Sequence, residues 1–129
     1  MKRDGRLQGV FSEIRNVRQE RGAPGPRRWF ESDGLDLVVW HGGAGEVTGF
    51  QLCYDWGKGE HALTWRPGTG FVHNAVDEGD GSPLKNLTPV LVPDGVVPWA
   101  ELTTRFVERC HSLEPELRQL ISARLAARR

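Results

Sequence analysis

The residues from 46 to 66 read EVTGFQLCYDWGKGEHALTWR, and this stretch decides the fold. Strand-favouring residues flank the glycine-rich turn at 56–59, which predicts an antiparallel hairpin. With Gly57 and Lys58 at the centre of the turn, the numbers of paired residues add up to about 115, a register that sorts the side chains onto two faces. One face is apolar and carries Phe50, Leu52, Tyr54, His61, Leu63 and Trp65. The other face carries Gln51, Cys53, Asp55, Glu60, Ala62, Thr64 and Arg66.

The neighbouring segments extend this hairpin into a sheet. Residues 35–41 form a strand that ends at the glycine-rich loop 42–45, and pairs whose numbers add up to about 87 place its leucines on the same apolar face. That register adds Val38, Trp40 and Val47 to the polar face as an apolar end. Further strands are predicted at 71–76 and 88–92. If Gly68 and Thr69 are the central residues of the turn between the second strand of the hairpin and the strand at 71–76, His73 lies opposite Thr64 on the polar face.

The two ends of the chain complete the fold. Residues 13–19 are predicted as a strand that pairs with residues 27–31, although apolar residues at 7, 10, 14 and 17 also fit a helix. Apolar spacings of three and four predict helices at 98–111 and 114–127, with Ser112 or Glu114 as the cap of the second. The predicted fold is α+β: an antiparallel meander of about five to six strands over residues 13–92, with two C-terminal helices packed on one face.

Length and composition predict one soluble domain over residues 1–129. Hydrophobic residues are 38% and charged residues 26% of the chain, which excludes a disordered chain, and no apolar run is long enough to span a membrane. The basic start of the chain is followed by no apolar stretch, so no secretory signal is predicted and a cytoplasmic location is expected. Charge is segregated: residues 1–30 carry eight basic and three acidic side chains, whereas residues 31–101 carry three basic and eleven acidic ones.

The polar face is the candidate site. Gln51, Thr64, Arg66 and His73 combine amide, hydroxyl, guanidinium and imidazole groups with an apolar floor, a mixture typical of small-molecule or peptide sites. No complete catalytic constellation is present in the sequence. We therefore expect a non-catalytic binding or interaction module rather than an enzyme. A homodimer is an expected assembly of this module.

Two other functions remain open from the sequence. Cys53 with His73 and Asp55 forms a candidate nucleophile, base and orienting carboxylate, which suggests a small cysteine-dependent hydrolase or transferase. The basic N-terminal segment suggests nucleic-acid binding, although aromatic residues are scarcely interleaved among its arginines. The arginines in question are Arg15, Arg18, Arg27 and Arg28.

No metal or cofactor is predicted. The four histidines lack the spacing of zinc ligands, and the acidic loop at 77–82 lacks the distal glutamate of an EF-hand. The glycine-rich loops at 42–45 and 68–70 each join two strands, whereas a phosphate-binding loop leads from a strand into a helix.

Four stretches together resemble a group of small bacterial proteins of unassigned function. They read RRWF at 27–30, DLVVW at 36–40, GFQLCYD at 49–55 and ALTW at 62–65. The resemblance covers most of the chain and implies a bacterial, cytoplasmic, self-contained domain. It implies no activity, cofactor or site.

Overall fold

The computed structural model describes residues 9–15, 26–55, 59–77, 90–93 and 96–129 as an α+β fold. Seven strands precede two helices, which are separated by a short 3-10 turn at Cys110–Ser112. The strands are β1 (Ser12–Glu13), β2 (Arg27–Glu31), β3 (Leu35–His41), β4 (Val47–Asp55), β5 (Glu60–Arg66), β6 (Gly70–Asp77) and β7 (Val90–Pro93). The helices are α1 (Trp99–Arg109) and α2 (Pro115–Ala127).

The strands form one antiparallel sheet in the order of the sequence, β1 to β7. The predicted meander is therefore confirmed, with one strand more than the expected five to six because the two-residue β1 and the short β7 both pair. β1 pairs with β2 as expected, so the helical alternative is wrong at Ser12 and Glu13. The rest of that predicted strand, at 16–19, lies outside the described residues, as do the turn at 56–58 and the acidic loop from 78 onward.

The β4–β5 register is the predicted one: Phe50 pairs with Trp65, and Tyr54 pairs with His61. In the β3–β4 hairpin the predicted partners are wrong by two residues, since Leu37 pairs with Leu52. The loop is longer than predicted and shifts the register by one residue, and a bulge after Trp40 shifts it by another. Because side chains alternate between the two faces, a total shift of two residues leaves each side chain up to the bulge on its predicted face. Beyond the bulge the alternation is reversed, and Val47 packs against the core rather than on the polar face.

The β5–β6 hairpin overturns the predicted position of His73. Its loop has three residues, because Pro67 and Gly68 are the central residues of a turn closed by a hydrogen bond of 3.2 Å from the Thr69 N–H to the Arg66 carbonyl. Gly68 supplies the positive φ of +86° that the third position of a type II turn requires. The extra residue moves every side chain of β6 to the opposite face. His73 consequently pairs with Leu63, not Thr64.

We call the face of the sheet that the helices cover the inner face, and it holds the main core. Its central residues are Leu37, Val39, Phe50, Leu52 and Leu63, none of which is exposed. The helices contribute Leu102, Phe106, Leu117, Ile121 and Leu125. No helix in the described parts of the chain is long and apolar enough to cross a membrane.

Of the two predicted caps, Glu114 occupies the N-cap position of α2, but its side chain makes no capping hydrogen bond. The side chains of Ser112 and Glu114 both have other partners. The Ser112 hydroxyl donates to the Phe11 carbonyl at 2.6 Å, and Glu114 accepts from Arg28 at 2.9 Å. Arg28 also forms two hydrogen bonds of 2.8 Å with the Glu13 carboxylate, while its guanidinium carbon lies 4.9 Å from the centre of the Phe30 ring. Arg28 therefore ties β1 and β2 to the start of α2.

The Arg28 bridge predicts a pH-dependent contribution to stability. Hydrogen bonds from Arg28 lower the pKa of Glu13 and of Glu114 below the usual 4.5. Carboxyl groups of lowered pKa stabilise the fold above their unfolded pKa, and this stabilisation disappears as the pH falls through the folded pKa. The difference in free energy of unfolding between the wild type and Arg28→Met should shrink between about pH 5 and about pH 3 in urea titrations. A difference that stays constant over this range would contradict the assignment.

Candidate functional site

The side of the sheet away from the helices, which we call the outer face, carries the candidate binding residues. It comprises Arg27, Trp29, Asp36, Val38, Trp40, Gln51, Cys53, Asp55, Glu60, Ala62, Thr64, Arg66, Val72 and Asn74. Of the predicted ligand-binding residues, Gln51, Thr64 and Arg66 lie here. The fourth, His73, lies on the inner face, so the predicted grouping of four is wrong.

One end of the outer face is basic and aromatic. Arg27 pairs across the strands with Trp40, and the Arg66 guanidinium carbon lies 4.6 Å from the centre of the Trp40 ring. Between these two side chains lies Gly49, where a Cβ would come within 2.9 Å of the Trp65 carbonyl oxygen and 3.3 Å of an Arg66 nitrogen. The missing side chain therefore lets Arg66 lie across the sheet onto the indole, where the ring's quadrupole attracts the cation.

The middle of the outer face holds a short chain of hydrogen bonds. The Cys53 thiol donates to the side-chain oxygen Oε1 of Gln51 at 3.2 Å, and the side-chain Nε2 of Gln51 donates to the Thr64 hydroxyl at 2.8 Å. The Thr64 oxygen accepts this bond, and among the described residues no acceptor takes its own proton, which can therefore donate to a ligand. Val38 and Val72 flank the pair in the same cross-strand row, and Val72 is 45% exposed. Val38 is only 4% exposed, so the row offers directed polar groups beside one accessible apolar side chain, that of Val72.

The opposite end of the outer face is acidic. Asp36, Asp55 and Glu60 line a cleft of about 150 Å³ beside Cys53. The Asp36 carboxylate accepts a hydrogen bond of 3.2 Å from the Trp29 indole, and burial raises its pKa. The outer face thus changes from basic to acidic along the direction of the strands. The strand register determines this separation of charge, which the net charge of zero does not reveal.

The structure separates the residues of the catalytic alternative. Cys53 and Asp55 lie on the outer face, whereas His73 is on the inner face, where no proton can pass from the thiol to its imidazole. Burial, with smaller contributions from the charges of Glu60 and Asp36, raises the pKa of Cys53 to about 12. The thiol is therefore protonated at neutral pH and is a poor nucleophile.

His73 instead belongs to a buried aromatic cluster that the sequence did not predict. Its Nε2 forms a hydrogen bond with the Tyr54 hydroxyl, and its ring stacks on that of His61 with the centroids 5.7 Å apart. The Tyr54 and His61 rings are stacked 5.6 Å apart. Recognition of the Pro67-Gly68 pair as the centre of a type II turn would have revealed this cluster, since the correct loop length places all three rings on one face.

The nucleic-acid alternative loses part of its predicted basic surface. Arg28 is bound to two carboxylates, Arg27 lies on the outer face, and Arg18 is outside the described residues. Arg15 is exposed at the end of the short segment that contains β1. Within the ranges that the structure describes, no group of three or more histidine, cysteine, aspartate or glutamate side chains could hold a metal ion.

The protonated state of Cys53 predicts slow thiol chemistry. In a Cys110→Ala variant, which leaves Cys53 as the single thiol, labelling by a disulfide reagent at neutral pH should be slow in the native protein and fast in urea. Labelling as fast in the native protein as in urea would contradict the burial and the raised pKa of Cys53.

The contact at Gly49 predicts a cost for any side chain there. Gly49→Ala should lower the free energy of unfolding by about 1–3 kcal/mol, because the new methyl group overpacks against the Trp65 carbonyl and Arg66. Gly43→Ala is the matched control, since a Cβ at Gly43 meets no atom within 4 Å. Chemical denaturation of both variants measures the difference, and equal effects would show that the contact at Gly49 is not limiting.

Comparison of the chain with protein-family models, curated proteins and solved structures finds no significant match. The functional interpretation therefore depends on the geometry of the outer face and its charges.

Proposed function

We propose that this protein is a non-catalytic binding module that holds an extended, acidic peptide segment on the outer face of its sheet. The observation that carries the proposal is the cross-strand row in which Arg27 pairs with Trp40 and Arg66 reaches over Gly49 onto the Trp40 ring. Guanidinium groups bind carboxylates with directed pairs of hydrogen bonds, and the indole offers an apolar surface beside them. A segment with aspartate or glutamate at one end would place those carboxylates at this row.

The distribution of charge supports one orientation of the segment. The acidic residues Asp55 and Glu60 lie at the far end of the strands from Arg66. A basic or neutral end of the bound segment is favoured there, since like charges repel. The Thr64 hydroxyl and the exposed Val72 lie between the two ends and suit a segment of mixed polar and apolar side chains.

The size of the outer face favours a peptide over a second copy of the chain. The seven residues of β5 rise about 20 Å, and five strands spaced about 4.8 Å apart span about 19 Å. The resulting area of about 400 Å² is half of the roughly 800 Å² that each partner buries in a stable interface. An extended segment of about six residues matches the length of the face.

The cellular setting is part of the proposal. We place the module in the cytoplasm of a bacterium, an assignment supported by the resemblance of its four conspicuous stretches to small bacterial proteins. The homodimer expected from the sequence is an alternative occupant of the same face, and the experiment below separates the two.

Selection from a library of random hexapeptides displayed on phage tests the proposal. Wild-type protein should enrich peptides with aspartate or glutamate at one end, whereas Arg66→Gln protein should not. The synthesised winner should bind Arg66→Gln about tenfold more weakly, because a charge-assisted hydrogen bond is lost. Arg118→Gln is the control, since Arg118 is a half-buried arginine on α2, away from the outer face.

Three results would contradict the proposal. They are enrichment of basic or uncharged peptides alone, equal loss of binding in Arg66→Gln and Arg118→Gln, and sedimentation of the free protein as a dimer that Arg66→Gln dissociates. The third result would identify a second copy as the occupant of the outer face.

A further inference from the structure

A pocket of about 450 Å³ lies where the β5–β6 loop meets the end of α2. It is separate from the middle of the outer face, and its volume falls within the range of about 300–1,000 Å³ typical of small-molecule sites. Its walls are formed by Trp65, Thr69, the Pro67-Gly68 turn and three arginines. The arginines are Arg66, Arg124 and Arg129.

The loop and the helix end are held together by specific contacts. The Trp65 indole donates a hydrogen bond of 3.3 Å to a main-chain oxygen of Arg129, the last residue of the sequence. A Cβ at Gly70 would lie 3.5 Å from the carbonyl carbon of Arg129, and Gly70 adopts a φ of +79° that favours glycine. The walls of the pocket therefore meet through the backbone, so its arginine side chains are not needed to join them.

Three arginines elsewhere in the described residues have carboxylate partners. Arg28, Arg105 and Arg109 form ion pairs with glutamates. In the described parts of the chain, no hydrogen bond or ion pair engages the guanidinium groups of Arg124 and Arg129, whereas that of Arg66 lies on the Trp40 ring of the outer face. No acidic side chain lines the pocket.

A helix C-terminus attracts cations, which favours an arginine in the last turns of α2, while Arg66 of β5 is held by its contact with the Trp40 ring. Arg124 lies with its guanidinium carbon 5.9 Å from the centre of the Trp65 ring. This contact holds the cation against an apolar surface, where it is poorly placed to find a carboxylate of its own chain.

We propose that this pocket binds a small phosphorylated compound through its phosphate group. A phosphate monoester carries roughly −1.5 to −2 charges at neutral pH, and the planar guanidinium fork matches its oxygens. The pocket has room for an organic group beside the phosphate. Trp65 is only 8% exposed, so it offers no open ring face on which a nucleic-acid base could stack.

The test uses the full chain and phenyl phosphate, with phenol and inorganic phosphate as comparison ligands. Titration followed by ¹H–¹⁵N NMR should show saturable binding of phenyl phosphate with a Kd below about 1 mM and none of phenol. The Trp65 indole N–H should shift because its partner Arg129 lines the pocket, whereas the Trp29 indole, bonded to Asp36, should not.

Variants at Arg124 separate this proposal from the peptide site. Arg124→Gln should weaken phenyl phosphate binding about tenfold or more, and Arg124→Lys should weaken it less, because the charge remains but the planar fork is lost. Arg118→Gln should leave it unchanged. Neither Arg124 variant should alter peptide binding on the outer face, since Arg124 packs on the inner-face residue Trp65.

Three outcomes would overturn the proposal, provided that thermal unfolding shows the variants to be folded. These are the absence of saturable binding, equal loss in Arg124→Gln and Arg118→Gln, and a single-stranded oligonucleotide that binds through Arg124 while phenyl phosphate does not. The last outcome would assign the pocket to nucleic acid.

Discussion

The structure depends on the alternation of side chains along an antiparallel meander. In β4 and β5 every second residue enters the core, so one shift of register would expose Phe50 and Leu52 and bury Gln51 and Thr64. Burying leucine and phenylalanine stabilises the fold by about 1.5–3 kcal/mol for each side chain, which fixes the register strongly. The composition of the outer face is a consequence of this constraint, because its residues are those that the core leaves out.

The sequence predicts the fold well because its signals are consistent. Glycine-rich turns, alternating strands and two apolar helical stripes all indicate an α+β meander, and the bounds of β3, β5 and α2 agree closely with the prediction. The predicted register between β3 and β4 is wrong in its pairs but right in its faces, since an even shift preserves the alternation.

The candidate site was less predictable because it depends on loop length to the residue. The predicted turn at 68–69 is displaced by one residue from the observed type II turn at Pro67-Gly68, so His73 was predicted on the wrong face. It lies opposite Leu63 and contacts Tyr54, not Thr64. The ion pairs of Arg28 join residues up to 86 positions apart, and sequence spacing holds no information about them. The arginine-lined pocket was likewise hidden, since the sequence does not tell which arginines come together at the end of α2.

The order of the elements along the chain has a consequence for biosynthesis. All seven strands emerge from the ribosome before α1 and α2, the helices that cover the inner face. At about 5–20 residues per second, the apolar side of the nascent sheet would stay uncovered for a few seconds while the helical residues are added. During that interval the exposed apolar surface makes the nascent chain a suitable substrate for a ribosome-associated chaperone.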